Sequence, residues 1–328
     1  LADNRYAARL NSFKIGADAY WGRKNSKVTT LDLIERAATV PGLNAVDLNF
    51  PDHLDGVGEA ELRDFLGARG IQLNGYAMRY YSDPDFKLGA FTHPDATIRR
   101  KAIDLSKRGI DSLSAAGGRI MTLWLGQDGF DYPFQADYVQ LWDWEIAAIR
   151  EVAEHNPAIE ISLEYKPNEP RAFALLPDVA TTLLAIKDVG LPNLGVTLDF
   201  AHVLYADEMP ASAVAHVARH SKLLGLHLND AYGKRDDGLM TGTVHLQQTI
   251  ELLWAMDRIG YDGAIYFDTF PDIGGLDPVA ECALNIDVVT AMKTVVGRLN
   301  NRADLDAAIR RQDAVASQKI VQSAIFGL

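Results

Sequence analysis

Short apolar, β-branched runs alternate with longer segments of helical period along the whole chain, and such alternation dictates repeated βα units around a parallel sheet. Eight units can be counted. Their strands are placed at 14–20, 45–50, 71–76, 119–125, 159–165, 194–200, 223–229 and 264–268. Helical stretches such as TLDLIERAATV, YVQLWDWEIAAIREVAEH and PVAECALNIDVVTAMKTVVGRL follow them. Length alone would allow two domains in 328 residues, but eight repeats without a break in composition favour a single (β/α)8 TIM barrel. A doubly wound sheet usually has fewer strands and a Gly-rich phosphate turn, and neither GxGxxG nor GxxxxGK[ST] occurs here. The barrel is assigned to residues 1–298. Residues 299–328 follow no further strand and read as one Ala-rich helix carrying Leu305, Ile309, Val315, Ile320 and Ile325. That helical tail is expected to pack against the outside of the barrel or against a neighbouring subunit.

Composition narrows the function. Hydrophobic residues make up 48% and charged residues 23%, which excludes a disordered or coiled-coil chain and implies a large core. A balance of 32 Lys and Arg against 44 Asp and Glu gives a net charge of -12, which disfavours a nucleic-acid partner. No apolar run approaches the roughly 20 residues of a membrane span. The opening LADNRYAARLNSF has no signal-peptide core, and the single Cys282 cannot form an internal disulfide, so a cytoplasmic location is the expectation. One cysteine also cannot build a thiolate metal site. Any metal must therefore use His and carboxylate ligands.

In such a barrel the active site sits at the C-terminal ends of the strands. Strands five to eight end in Glu164, Asp199, His227 and Asp268. Three carboxylates and one imidazole at four equivalent positions point to a divalent-metal site suited to Mn2+, with Mg2+ or Co2+ as alternatives. For any one of them the bland reading is a carboxylate capping the next helix; together they point to the metal. His202, three residues after Asp199, is placed over the barrel mouth, where it could bind a second cation bridged by Asp199. Asp230, Asp236 and Asp237 lie in the loop after strand seven, as further ligands or as a solvated acidic turn.

These residues carry a resemblance. LEYKPNEPRAFALLPD around Glu164, WLGQDGFD at 124–131, LDFAH at 198–202, HLNDAYGKRDDGLMTG at 227–242 and YFDTFP at 266–271 are similar, in order and spacing, to segments of the xylose isomerase family. The use of His227 resembles L-rhamnose isomerase, a relative with the same barrel. The resemblance implies that Glu164, Asp199, His227 and Asp268 hold a first metal, and that Asp199, His202 and Asp236 approach a second. It implies that Lys166 donates to the sugar carbonyl or O1 oxygen, that Trp21 and Trp124 wall the apolar face of the sugar, and that His202 also meets the substrate. Glu169–Pro170 is a candidate cis bond, and Arg171 is expected to pair with local carboxylates. Two departures stand out: Gly238 occupies the position of the family's second loop acid, and the ring-opening His and Asp pair is matched only by Asp52 and His53 in shifted order.

The implied activity is that of a metal-dependent aldose–ketose isomerase, with one or two divalent ions polarising an open-chain sugar while hydrogen moves between C1 and C2. Lys166, Glu164, Asp268 and His53 form the expected catalytic set. The main alternative is a ketose 3-epimerase or a related inositol or ketoglycoside enzyme on the same barrel. Epimerases of this kind typically place Glu at the ends of both strands five and eight, whereas strand eight here ends in the shorter Asp268. A zinc endonuclease is disfavoured by the -12 charge, and a non-catalytic sugar-binding subunit is hinted at only by Gly238. The partner is a small sugar, and a homodimer or homotetramer is expected.

Overall fold

The computed structural model describes residues 5–15 and 27–328. Eight parallel strands close into a barrel. They are β1 (Tyr6–Arg9), β2 (Ala45–Phe50), β3 (Gln72–Met78), β4 (Ile120–Trp124), β5 (Glu160–Glu164), β6 (Leu194–Asp199), β7 (Leu223–Leu228) and β8 (Ile265–Phe267). The seam closes where Tyr6 pairs with Ile265 and Ala8 with Phe267. Helices surround the barrel in sequence: α1 (Thr30–Ala37), α2 (Glu59–Ala68), α3 (Ala96–Ala115), α4 (Tyr138–His155), α5 (Val179–Val189), α6 (Pro210–His220), α7 (Leu246–Arg258) and α8 (Pro278–Leu299). Several start where the sequence supplies a cap. Thr29 and Asp32 form a capping box on α1, and Asp137 accepts from Val139 and Gln140 at the start of α4.

Strand alternation divides the residues between two environments. Val46, Leu48, Met121, Leu123, Ile161, Leu163, Val196, Leu198, Leu226, Leu228 and Ile265 are fully buried in the main core, against the apolar faces of the helices. Their alternates point into the barrel. There many residues are small or polar, among them Ala7, Ala45, Asp47, Thr122, Ser162, Thr197, Gly225 and Ala264, with Tyr266 packed on the alanines. The Ser162 and Thr197 hydroxyls meet at 2.6 Å, so this interior is partly held by hydrogen bonds rather than by the branched aliphatic layers common in such barrels. The same alternation aims Arg9, Trp124, Glu164, Asp199, His227 and Asp268 into the mouth.

The sequence reading is corrected at two places. Strand one is not 14–20: β1 lies at Tyr6–Arg9, Leu10–Lys14 form a 3-10 helix, and 16–20 fall outside the described residues. The run YAAR has little β propensity, but its two alanines fit the crowded seam, where Ala7 pairs with both Ala45 and Tyr266. The tail is not one helix but two, α9 (Ala303–Arg310) and α10 (Ala314–Phe326). Gln312 turns into the left-handed region at φ 54°, and Asp313 caps α10 by accepting from the Ala316 amide.

The tail packs on the outside of the barrel. Leu305, Ala308 and Ala324 are buried, Arg298 donates to the Ala324 carbonyl at 2.9 Å, and Arg258 meets Asp306 at 3.0 Å. Deleting the residues after Asn300 is expected to lower Tm by about 5–10 °C, because it uncovers apolar side chains of α7 and α8 worth a few kcal/mol. Unchanged thermal stability and assembly state on a melting curve and a sizing column would refute a packing role for the tail.

Candidate metal and sugar site

Four ligating atoms, one each from Glu164, Asp199, His227 and Asp268, lie within 4.8 Å of one another at the mouth. His227 Nδ1 is central: it is 3.2 Å from Glu164 Oε1 and 3.9 Å from both Asp199 Oδ2 and Asp268 Oδ2. A cation bonded at about 2.0–2.4 Å to each donor spans about 4–4.8 Å across, so the cluster fits one hard divalent ion. Surrounding groups hold the ligands in place. Asn229 donates to both carboxylate oxygens of Asp199 at 3.3 Å and to the Asp268 backbone oxygen at 3.1 Å. The Tyr266 ring lies 4.4 Å from the His227 ring. Such supports fix ligand direction as much as the ligands themselves do.

The electrostatics fit a cation as well. Burial, reinforced by the neighbouring acids Asp236, Asp268 and Glu164, outweighs the pull of His202 and holds the Asp199 carboxyl up at about 7. Burial pulls the His227 imidazole down, but Glu164, Asp268 and Asp199 overcome it and hold the ring at about 10. The cluster thus gathers positive charge onto its own histidine. A divalent ion would take over that role and release the proton.

Beside the cluster, His202 Nδ1 donates to the Tyr165 carbonyl at 3.0 Å, and Nε2 faces Asp236 Oδ2 at 3.2 Å. Asp236 Oδ2 is also 3.2 Å from Lys166 Nζ, which meets Glu169 Oε2 at 3.0 Å. Burial lowers the Lys166 pKa, and Asp236 and Glu169 more than restore it, so the ammonium is raised above its ordinary value and stays charged. Its Nζ sits 5.5 Å from the centre of the Trp124 ring. A cavity of about 300 Å³ opens onto these groups, lined by Trp124, Glu164, Lys166, His202, His227, Asp236 and Asp268 among others.

Eight of the ten expected site residues are thereby gathered at one mouth. Trp21 lies outside the described residues. His53 is not at the cavity: it is buried, Nδ1 accepts from the Asn49 amide at 2.9 Å, and Nε2 donates to Asn11 Oδ1 at 2.8 Å. Burial, with Arg79, Arg9 and Lys14 nearby, pushes its pKa down to about 3, so it is a neutral scaffold residue. Asp230 and Asp237 hold loop backbone, Asp230 through Val244 and His245 and Asp237 through the Tyr232 amide. Gly238 has a physical reason. Its φ is 57°, and a Cβ there would stand 2.3 Å from the Phe270 ring, so an acid at this position is sterically excluded. Glu169–Pro170 is cis, and Arg171 pairs with Asp131 at 2.9 Å.

The sequence reading missed Arg9 and Arg79, which also line the cavity. Arg9 falls outside a strand one placed at 14–20, and Arg79 outside a strand three that ends at 76, before Met78. Parity along correctly bounded strands would have found both.

A family described as xylose isomerase-like TIM barrel matches residues 34–287. The xylose isomerase of Thermus thermophilus is 30% identical over 209 residues, 62% of this chain and 54% of that protein. The match therefore spans about half the length of the curated relative. Among solved structures, an L-ribulose 3-epimerase superposes with a TM-score of 0.70 at 18% identity, over 92% of this chain and 99% of that one. A D-psicose 3-epimerase from Clostridium cellulolyticum H10, solved with D-tagatose, gives 0.67 at 15% identity, over 88% and 99%. Both show the same fold.

Proposed function

This chain belongs to the xylose isomerase-like TIM barrel family, and from that premise we propose that it is a divalent-metal-dependent aldose–ketose isomerase acting between C1 and C2 of an open-chain sugar. The observation that carries the reading is the four-donor cluster of Glu164, Asp199, His227 and Asp268 with the Lys166 ammonium beside it. Mn2+ is the proposed ion, with Mg2+ or Co2+ as substitutes, and His202 with Asp236 would serve a second. A bound ion supplies Lewis acidity to the adjacent oxygens of the sugar. Lys166 stays protonated, so its part is to donate to an oxygen on which negative charge develops, not to take a proton. Trp124 gives the apolar face of the sugar a wall. His53 has no part here, because it does not line the cavity.

A 3-epimerase is the second reading. It draws on the presence of two carboxylates, Glu164 and Asp268, each within 4 Å of the same His227 nitrogen, and on the epimerases among the structures of similar fold. Against it, Asp268 is the shorter acid and is engaged by Arg9 at 3.8 Å. Product analysis on a panel of aldoses and ketoses with Mn2+ or Mg2+ separates the two. Interconversion at C1 and C2 that chelator abolishes is expected; exchange at C3 alone would make it an epimerase, and activity indifferent to chelator would overturn the metal reading.

A further inference from the structure

Among the described residues, Arg9, Lys166 and Arg79 are the fixed cations that line the cavity, and the first two are already matched. Arg9 lies 3.1 Å from Asp272 and 3.8 Å from Asp268, while Lys166 lies between Asp236 and Glu169. Arg79, just beyond β3, is different. Among the described residues its guanidinium makes no ion pair, and its Nε is buried without an acceptor. It lies over the Tyr81 ring at 5.1 Å, and Trp124 packs against the same ring at 5.5 Å. Trp124 Nε1 is a second buried donor without an acceptor. Arg and Trp side chains only donate, so both lack the same thing, an acceptor. Leaving such groups unmatched is costly, and a guanidinium fork is matched best by a planar or tetrahedral oxyanion.

Position adds a direction. The proposed metal donors come from β5 to β8, whereas Arg79 follows from β3, two strands round from β5 and across the mouth from β7; Trp124 ends β4, beside Glu164. A cavity of about 300 Å³ has room for one monosaccharide reaching from the cluster to Arg79.

We infer that the substrate is an acidic sugar, bearing a carboxylate or phosphate at the end remote from the reacting carbons, and that Arg79 selects it. This rests on the sugar-enzyme reading above. The test compares matched sets on the Mn2+-loaded protein: a neutral hexose, its uronate and its terminal phosphate. The kcat/KM for one anionic form is expected to exceed that of the neutral sugar by about 10- to 100-fold, and the preferred arm identifies carboxylate or phosphate. Arg79→Met should bring the anionic-to-neutral ratio close to one, and Arg79→Lys should retain part of it. A ratio taken within one variant is insensitive to partial misfolding. Equal or better use of the neutral sugar by the wild type, or a ratio unmoved by Arg79→Met, would overturn the inference while leaving the isomerase reading intact. Absence of any turnover would instead sink that reading. Calorimetric binding of the same sets then decides the anion claim: tighter binding of an anionic form, lost in Arg79→Met, upholds it, and equal binding overturns it.

Discussion

Mn2+ is expected to raise the melting temperature of the wild-type protein, and Glu164→Gln is expected to remove that gain and to lower kcat/KM by about 10³-fold. Glutamine keeps the volume of the side chain and its place at the end of β5, so the change is one of charge. Glu164 Oε1 is the carboxylate oxygen nearest His227 Nδ1, at 3.2 Å. Without it the cluster retains two carboxylates, and the pull on a divalent ion falls accordingly. A metal present at about 1,000 times its Kd stabilises the native state by about 4 kcal/mol, roughly 5–10 °C in Tm for a chain of this size. That gain should vanish in the variant. The metal-free melting temperature should move much less, because the substitution removes a repelling acid from Asp199 and Asp268 as well as a partner from His227. Calorimetric titration and melting with and without Mn2+ check this. A full Mn2+ shift in the variant would take Glu164 out of the site.

Much of this arrangement is legible in the sequence, and the reasons lie in particular residues. β2 is recovered at 45–50 residue for residue, and the other strands after it within two residues at each end, because their outward positions carry Val, Leu and Ile between turn signals. The four clustered residues Glu164, Asp199, His227 and Asp268 are legible because they sit at the same place in consecutive units, where a packing role has no use for them. β1 is not legible: its strand is YAAR, and alanine lies in that seam for its size, which leaves no hydrophobic period to read. Arg9 is lost with it. Arg79 is lost differently, since its meaning depends on which charges stand near it in three dimensions. His53 shows the reverse error. Its residue type suggests chemistry, but Asn49 of β2 and Asn11 of the 3-10 helix after β1 take both of its ring nitrogens for scaffold hydrogen bonds.

Lys166→Met should cut kcat by about 10²–10³-fold while leaving the affinity for the first metal within about 3-fold of wild type. The two effects separate because Lys166 touches none of the four clustered donors; its contacts are Asp236 and Glu169. Methionine fills the same space beside Trp124 and removes only the ammonium. If Lys166 stabilises charge that grows on the sugar oxygen, the loss falls on turnover and KM changes little, since the interaction strengthens only as the reaction proceeds. A structural role gives the opposite pattern. With the Lys166 ammonium gone, Asp236 would be left with His202 at 3.2 Å, the loop after β7 would loosen, and Tm and KM would change together. Steady-state kinetics, a Mn2+ titration and a melting curve on the one variant distinguish these outcomes. Lys166→Arg sharpens the comparison, because it restores the charge but not the compact shape of an ammonium aimed between Trp124 and Asp236. Stability regained in the arginine variant without turnover would show that position, beyond charge, is what the reaction requires.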